Sequence, residues 1–168
     1  MTEIVCSGVT YTYSSGVRAL EDVDLTIQSG ESVAIIGQNG SGKTTLVRHF
    51  NGLLRPAAGT VTVDRWDTRD RPVALLAHLV ALAFQDPDRQ IFAGSVEAEV
   101  GFGARNVGLK GDALETAIAA ALETVGLSAE RKTNPYDLGY SRRKLLTIAS
   151  VLAMQTPVVV LDEPTTGQ

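Results

Sequence analysis

Gly37-Gln38-Asn39-Gly40-Ser41-Gly42-Lys43-Thr44 is the stretch that decides the fold. It carries the G-x-x-x-x-G-K-[ST] spacing of a phosphate-binding loop. Its glycines permit backbone conformations that turn successive N–H groups inward, which makes an anion-binding nest. A helix that follows the loop aims the positive end of its dipole at the same point. Lys43 is placed to reach the β- and γ-phosphates of a nucleoside triphosphate, and the Thr44 hydroxyl to ligate Mg²⁺. With Thr45, these eight residues form the candidate nucleotide-binding set.

The flanks fit the loop. Residues 32–36 are a short apolar run, of the kind found in strands buried on both faces. The spacing after the loop predicts a helix over 42–50 with Leu46, Val47 and Phe50 on one side, stopped by Asn51-Gly52. Upstream, residues 4–13 and 23–27 predict two antiparallel strands joined near 14–16. Residues 60–64 read as a further strand, and 72–79 as a helix leading into a strand at 80–84. The clearest helix covers 112–125. Asp112 and Glu115 form a capping-box-like pair, Leu114, Ile118, Ala121 or Leu122, and Val125 make the apolar stripe, and Gly126 ends it. A second long helix covers 141–154 with Leu145, Ile148, Ala149 and Leu152 facing a core, and a buried strand follows at 158–161. Strands alternating with helices indicate an α/β fold with a mainly parallel sheet.

That last strand ends in Asp162-Glu163. In an open parallel sheet, ligands bind at the carboxyl ends of the strands. Asp162 is therefore a candidate ligand of the Mg²⁺, directly or through water. Glu163 is the candidate base that orients an attacking water, because phosphoryl transfer needs mainly positioning and charge neutralisation.

Bulk properties narrow the setting. The 168 residues suffice for one domain, or most of one. Fifteen basic against nineteen acidic residues give a net charge of −4, so no global basic field draws in nucleic acid or anionic lipid. The single cysteine, Cys6, precludes an internal disulfide and fits a reducing compartment. No run approaches the ~20 apolar residues that span a bilayer, and the N-terminus lacks a signal pattern. The expected location is cytoplasmic, with any membrane role supplied through a partner.

The two motifs together, with Pro164-Thr165-Thr166-Gly167 after the second, resemble the Walker A and Walker B elements of the ATP-binding-cassette (ABC) ATPases. The resemblance covers nearly the whole chain. It implies a P-loop ATPase core, an N-terminal antiparallel β subdomain and an α-helical subdomain, with residues 1–84 and 135–168 in the core and 85–134 in the helical part. It also implies ATP and Mg²⁺ as cofactors. Tyr13, ending Thr10-Tyr11-Thr12-Tyr13, sits where the family places an aromatic that stacks on adenine. Phe84-Gln85-Asp86-Pro87-Asp88-Arg89-Gln90-Ile91-Phe92 resembles the Q-loop of the energy-coupling-factor importers for vitamins and transition-metal ions. There Gln85 would complete the shell of the metal and the catalytic water, and the segment up to Phe92 would meet a transmembrane coupling subunit. The protein is then expected on the cytoplasmic face of the membrane, peripheral through its membrane partners. The competing readings are a non-transport ABC ATPase and a catalytically impaired nucleotide-binding fragment.

Two departures from the family matter. Where Leu-Ser-Gly-Gly-Gln is expected, the chain has Asp137-Leu138-Gly139-Tyr140-Ser141, with Leu138 and Tyr140 in place of the serine and second glycine and Arg142-Arg143-Lys144 after it. In ABC dimers this signature closes over the partner's ATP. A heterodimer follows as the expectation, in which a second ATPase subunit supplies an intact signature to this chain's ATP; a homodimer with two weakened sites is the alternative. The second departure is that the family's D-loop and switch histidine do not follow Gln168. His49 and His78 are in the wrong places for that histidine and read as packing or surface residues. The 168 residues alone are expected to hydrolyse little ATP.

Overall fold

The computed structural model describes residues 2–165. Thr166 and Gly167 of the Pro-Thr-Thr-Gly stretch lie outside the described residues. The chain divides into two compact units, Met1–Val80 and Ala81–Gln168.

The first unit is built on a four-stranded sheet in the order β2-β1-β3-β4. β1 (Ile4–Thr12) pairs antiparallel with β2 (Arg18–Ile27) on one side and β3 (Ala58–Val63) on the other; β4 is the short Trp66–Asp67. Ile4, Cys6 and Val9 of β1 and Val61 and Val63 of β3 are buried. Between Cys6 and Val9 the pairing shifts at a bulge. Gly59 packs there so tightly that a Cβ would stand 2.3 Å from the Gly8 carbonyl oxygen, so only glycine fits. Helix α1 (Lys43–Phe50) buries Leu46, Val47 and Phe50 as its sequence predicts, and Asn51 caps it with Gly52 at φ 74°.

Two expectations in this unit are corrected. Residues 32–36 form no strand, and Ile36 is 91% and Val33 49% exposed. An apolar β-branched run suits a strand, but a strand exists only where a neighbour supplies the ladder, and no described strand pairs with this one. The helix over 72–79 shrinks to the single turn α2 (Val73–Leu76). Only Leu76 of that turn is buried, so packing gives little to offset helix nucleation. His78 and Leu79 then bond back to the carbonyls of Leu75 and Leu76 in tighter turns.

Burial inside the sheet raises the Cys6 thiol from 9.0 to about 11, with the charge of Asp24 adding to the effect. The folded state therefore holds the proton more tightly than the unfolded one. Its contribution is complete below pH 9 and is lost as pH rises through about 11. Cys6→Ala should flatten the fall in stability between those limits, as read by denaturant melts at pH 8, 9, 10 and 11.

In the second unit, helices α3 (Val96–Asn106), α4 (Gly111–Thr124) and α5 (Tyr140–Ala153) surround a core that includes Val100, Ala104, Ile118, Leu122 and Leu146. β5 (Val80–Ala83) pairs with β6 (Val158–Leu161). The α/β class, with an antiparallel sheet, a parallel sheet and helices, is as the sequence implies. Three details differ. The cap of α4 is Lys110 without a side-chain bond, because Asp112 lies inside the helix and Glu115 is drawn to Arg131, which also holds Glu97. The fully buried face of α5 holds Leu146, Ala149, Val151 and Ala153, while Leu145 and Leu152 pack only at its margin. The sequence implies a buried strand for β6, yet Val159 and Leu161 are 40% and 41% exposed. Its one described neighbour is β5, so only one face and one edge of it are covered.

Candidate nucleotide site

The phosphate loop lies between residue 36 and α1. Gly40 and Gly42 take φ values of 82° and 91°, the left-handed region that glycine adopts without strain. Gly42 is also the N-cap of α1, and it makes no side-chain cap bond. No acidic residue lies in the first turn of α1, so its amide groups remain suited to an anion. Lys43 folds back over the loop and its Nζ donates to the carbonyls of Gly37 and Gln38, each at 2.8 Å. Those two bonds brace the loop and keep the ammonium at its mouth. Ser41 N–H donates to the Gln38 carbonyl at 3.1 Å, and a Cβ on Gly37 would stand 2.6 Å from the Ser41 hydroxyl. Asn39 lies on the exposed rim. The residues present fit a triphosphate: a glycine-shaped cradle, an uncapped helix start and one cation.

The loop is fixed to the β1–β2 hairpin. A Cβ at Gly42 would stand 2.4 Å from the Ala19 carbonyl oxygen and 3.1 Å from a Leu20 methyl. Tyr13 begins the hairpin turn, where its N–H and carbonyl bond Val17 and Gly16 at 2.9 Å. Its ring meets Tyr11 edge-on with centroids 5.0 Å apart, as the shared strand face implies. Its hydroxyl and that of buried Thr45 share a 2.8 Å hydrogen bond. His49 is buried under Tyr11, and burial lowers its pKa, so it packs as a neutral ring.

The second unit holds the other motifs. Asp162 is buried, and its N–H donates to the Ala83 carbonyl at 3.0 Å, which extends the β5–β6 pairing by one residue. Glu163 follows at φ 49°, a conformation rarely used by residues with a Cβ. Its carboxylate accepts from Gln85 Nε2 at 2.7 Å and its carbonyl from Lys144 Nζ at 2.5 Å. The candidate base and the candidate Q-loop glutamine, 78 residues apart, are thus in direct contact.

The contacts that shape the Q-loop are not legible in its sequence. Gln90 accepts from Phe84 N–H at 3.0 Å, and Asp86 caps the turn that begins at Pro87. Buried Glu99 accepts from the Phe92 and Ala93 N–H groups at 3.0 and 2.8 Å. Tyr136 donates to the Ile91 carbonyl at 2.9 Å. A carboxylate on the buried side of a helix was the one available signal, because such a charge is kept only where donors converge.

At the variant signature, Leu138 is buried in the helical core and Tyr140 opens α5 after Gly139. The basic run is engaged within this unit. Arg142 pairs with Glu130, Arg143 with Asp88 and the Leu138 carbonyl, and Lys144 is buried on Glu163.

A glycine cradle on a helix start and a glutamine-braced Asp-Glu pair after a strand define the ABC class of P-loop ATPase. The ABC transporter family profile matches residues 20–166, and the chain belongs to that family as an ATP-binding domain. It is 48% identical over 151 residues to a putative ABC transporter ATP-binding protein of Methanosarcina acetivorans, covering 90% of this chain and 29% of that protein. It is 42% identical to the energy-coupling factor transporter ATP-binding protein EcfA of Methanothermobacter thermautotrophicus, covering 95% of this chain and 52% of the relative. Among solved structures, cbiO1 of Clostridium perfringens, part of the ABC transporter complex cbiONQ, superposes with a TM-score of 0.82 at 36% identity, covering 98% of this chain and 66% of that one. The chain thus spans between about a third and two thirds of the length of these relatives.

Proposed function

We propose that this chain is the ATP-binding and ATP-hydrolysing part of an energy-coupling-factor type ABC importer that takes up a vitamin or metal ion. The observation that carries the reading is the cradle at residues 37–44 with the Lys43 ammonium held at its mouth. Its similarity to EcfA and cbiO1 supports the importer branch. In this reading the loop from Gly37 to Thr44, with Thr45, binds the phosphates, and Tyr13 stacks on the base. Thr44, Gln85 and Asp162 are the ligands of Mg²⁺, directly or through water. Bound there, the metal would neutralise charge on the β- and γ-phosphates. Glu163 orients the attacking water, with Gln85 fixing its carboxylate and Lys144 its main chain. Residues 1–84 and 135–168 act as the core, and 85–134 as the helical subdomain.

A second ATPase subunit with an intact signature completes the site, and the Asp137–Ser141 variant leaves the reciprocal site weaker. The transmembrane coupling subunit meets the segment from Gln85 to Phe92. Phe92 and Phe102 support this, because they stack edge-to-face at 4.7 Å while 60% and 45% exposed. Among the described residues no helix is long and apolar enough to cross a membrane. In this reading the chain sits on the cytoplasmic face of the membrane, held there by that subunit. The net charge of −4 argues against a nucleic-acid partner. The test is Mg²⁺-dependent ATP binding by calorimetry, followed by hydrolysis with and without the partner subunits. Binding with slow turnover alone and at least about tenfold faster turnover in the complex is the expected result. Absence of Mg²⁺-dependent binding in a folded chain would overturn it.

A further inference from the structure

We infer that the hydrogen bond between Tyr13 and Thr45 is a tether that sets the base platform relative to the phosphate loop, and that Thr45 is a positioning residue for nucleotide binding. The inference rests on Tyr13 being the base platform proposed above. Tyr13 stands just beyond the end of β1, and the turn from Ser14 to Val17 is exposed. A ring in that place, held only by its own backbone, would be free to turn about χ1. Two contacts restrain it, and a third supports one of them. Its hydroxyl shares the 2.8 Å bond with Thr45, the third residue of α1 and only 5% exposed. Its edge meets Tyr11, and Tyr11 in turn rests on the fully buried His49 ring, with centroids 5.0 Å apart in both pairs.

Thr45 and His49 lie four residues apart on α1, on the side turned to the hairpin, and the His49 Nδ1 bonds the Thr45 carbonyl at 2.7 Å. The loop touches the same hairpin again through Gly42 against the Ala19 carbonyl. The hairpin and the start of α1 are therefore joined at two points, one on each side of Lys43 and Thr44. Stacking contributes most when the aromatic face is already oriented, because no rotamer freedom is then lost on binding. A threonine beside the phosphate loop also has a backbone N–H for phosphate; its hydroxyl here bonds that of the ring.

The experiment compares the binding of Mg-ATP and of Mg-tripolyphosphate, which lacks base and sugar, to the full chain. Tyr13→Phe keeps the ring and removes the tether. It should weaken ATP about three- to tenfold, the range for one lost hydrogen bond, and leave tripolyphosphate unchanged. Thr45→Val should weaken ATP similarly, and the double variant should be no worse than the worse single one. If Tyr13→Ala weakens ATP but Tyr13→Phe binds it as the unaltered chain does, the tether has no role. If Tyr13→Phe weakens both ligands equally, the bond merely supports the loop and the inference fails. If even Tyr13→Ala binds ATP normally, Tyr13 is not the platform, and the reading beneath the inference fails with it.

Discussion

Lys43→Ala is expected to lower the affinity for Mg-ATP by about a hundredfold while leaving the fold intact. The Lys43 ammonium would make at least two charge-assisted hydrogen bonds to phosphate oxygens, each contributing about 1.5–3 kcal/mol. Part of that gain is offset, because Nζ must first leave the Gly37 and Gln38 carbonyls, which it bonds at 2.8 Å. A net loss near 3 kcal/mol corresponds to roughly two powers of ten in affinity. Those carbonyls are at the exposed loop and can turn to water, so the thermal midpoint should hardly move. Calorimetric titration with ATP, paired with a thermal melt, checks both halves. Binding within about threefold of the unaltered chain would show that the cradle captures phosphate without its cation.

Glu163→Gln is expected to abolish most ATP turnover in the assembled transporter, by about a hundredfold or more, with ATP binding retained. The amide is nearly the same size, and its oxygen can still accept from Gln85 Nε2, now 2.7 Å from the carboxylate. The Lys144 bond to the main-chain carbonyl is untouched by the change. What disappears is the negative charge that orients the attacking water. Steady-state hydrolysis and a parallel binding measurement separate the two effects. Persistent turnover, with the partner's equivalent glutamate essential instead, would reverse the proposed assignment of strong and weak sites.

Much of the first unit was legible in sequence because its signals are local. The spacing at 37–44 and the burial of Leu46, Val47 and Phe50 depend on residues within one or two turns of each other. The alternation in β1 likewise announces Ile4 and Cys6 as core residues, up to the bulge that turns Val9 inward. The misreadings all concern partners. Residues 32–36 have a strand's composition, but composition does not say whether a ladder neighbour is at hand. Glu115 looked like half of a capping box until Arg131, sixteen residues away, claimed it. Val159 and Leu161 read as buried because apolar strands usually are, whereas exposure depends on what lies across the sheet.

The phosphate cradle is the part of this protein determined by sequence alone. Glycine positions, a lysine and a hydroxyl within eight residues encode it, and backbone stereochemistry does the rest. Tertiary structure decided how the cradle is fixed to the hairpin and how the Tyr13 ring is held. The Tyr13–Thr45 bond, Gly42 against Ala19, and the contact of Gln85 with Glu163 join residues 32, 23 and 78 positions apart. No periodicity or spacing encodes such pairs, because they form only when strands and helices pack. The basic run after Gly139 makes the same point in reverse. It has the composition of an anion site, yet folding commits Arg142, Arg143 and Lys144 to partners within their own unit.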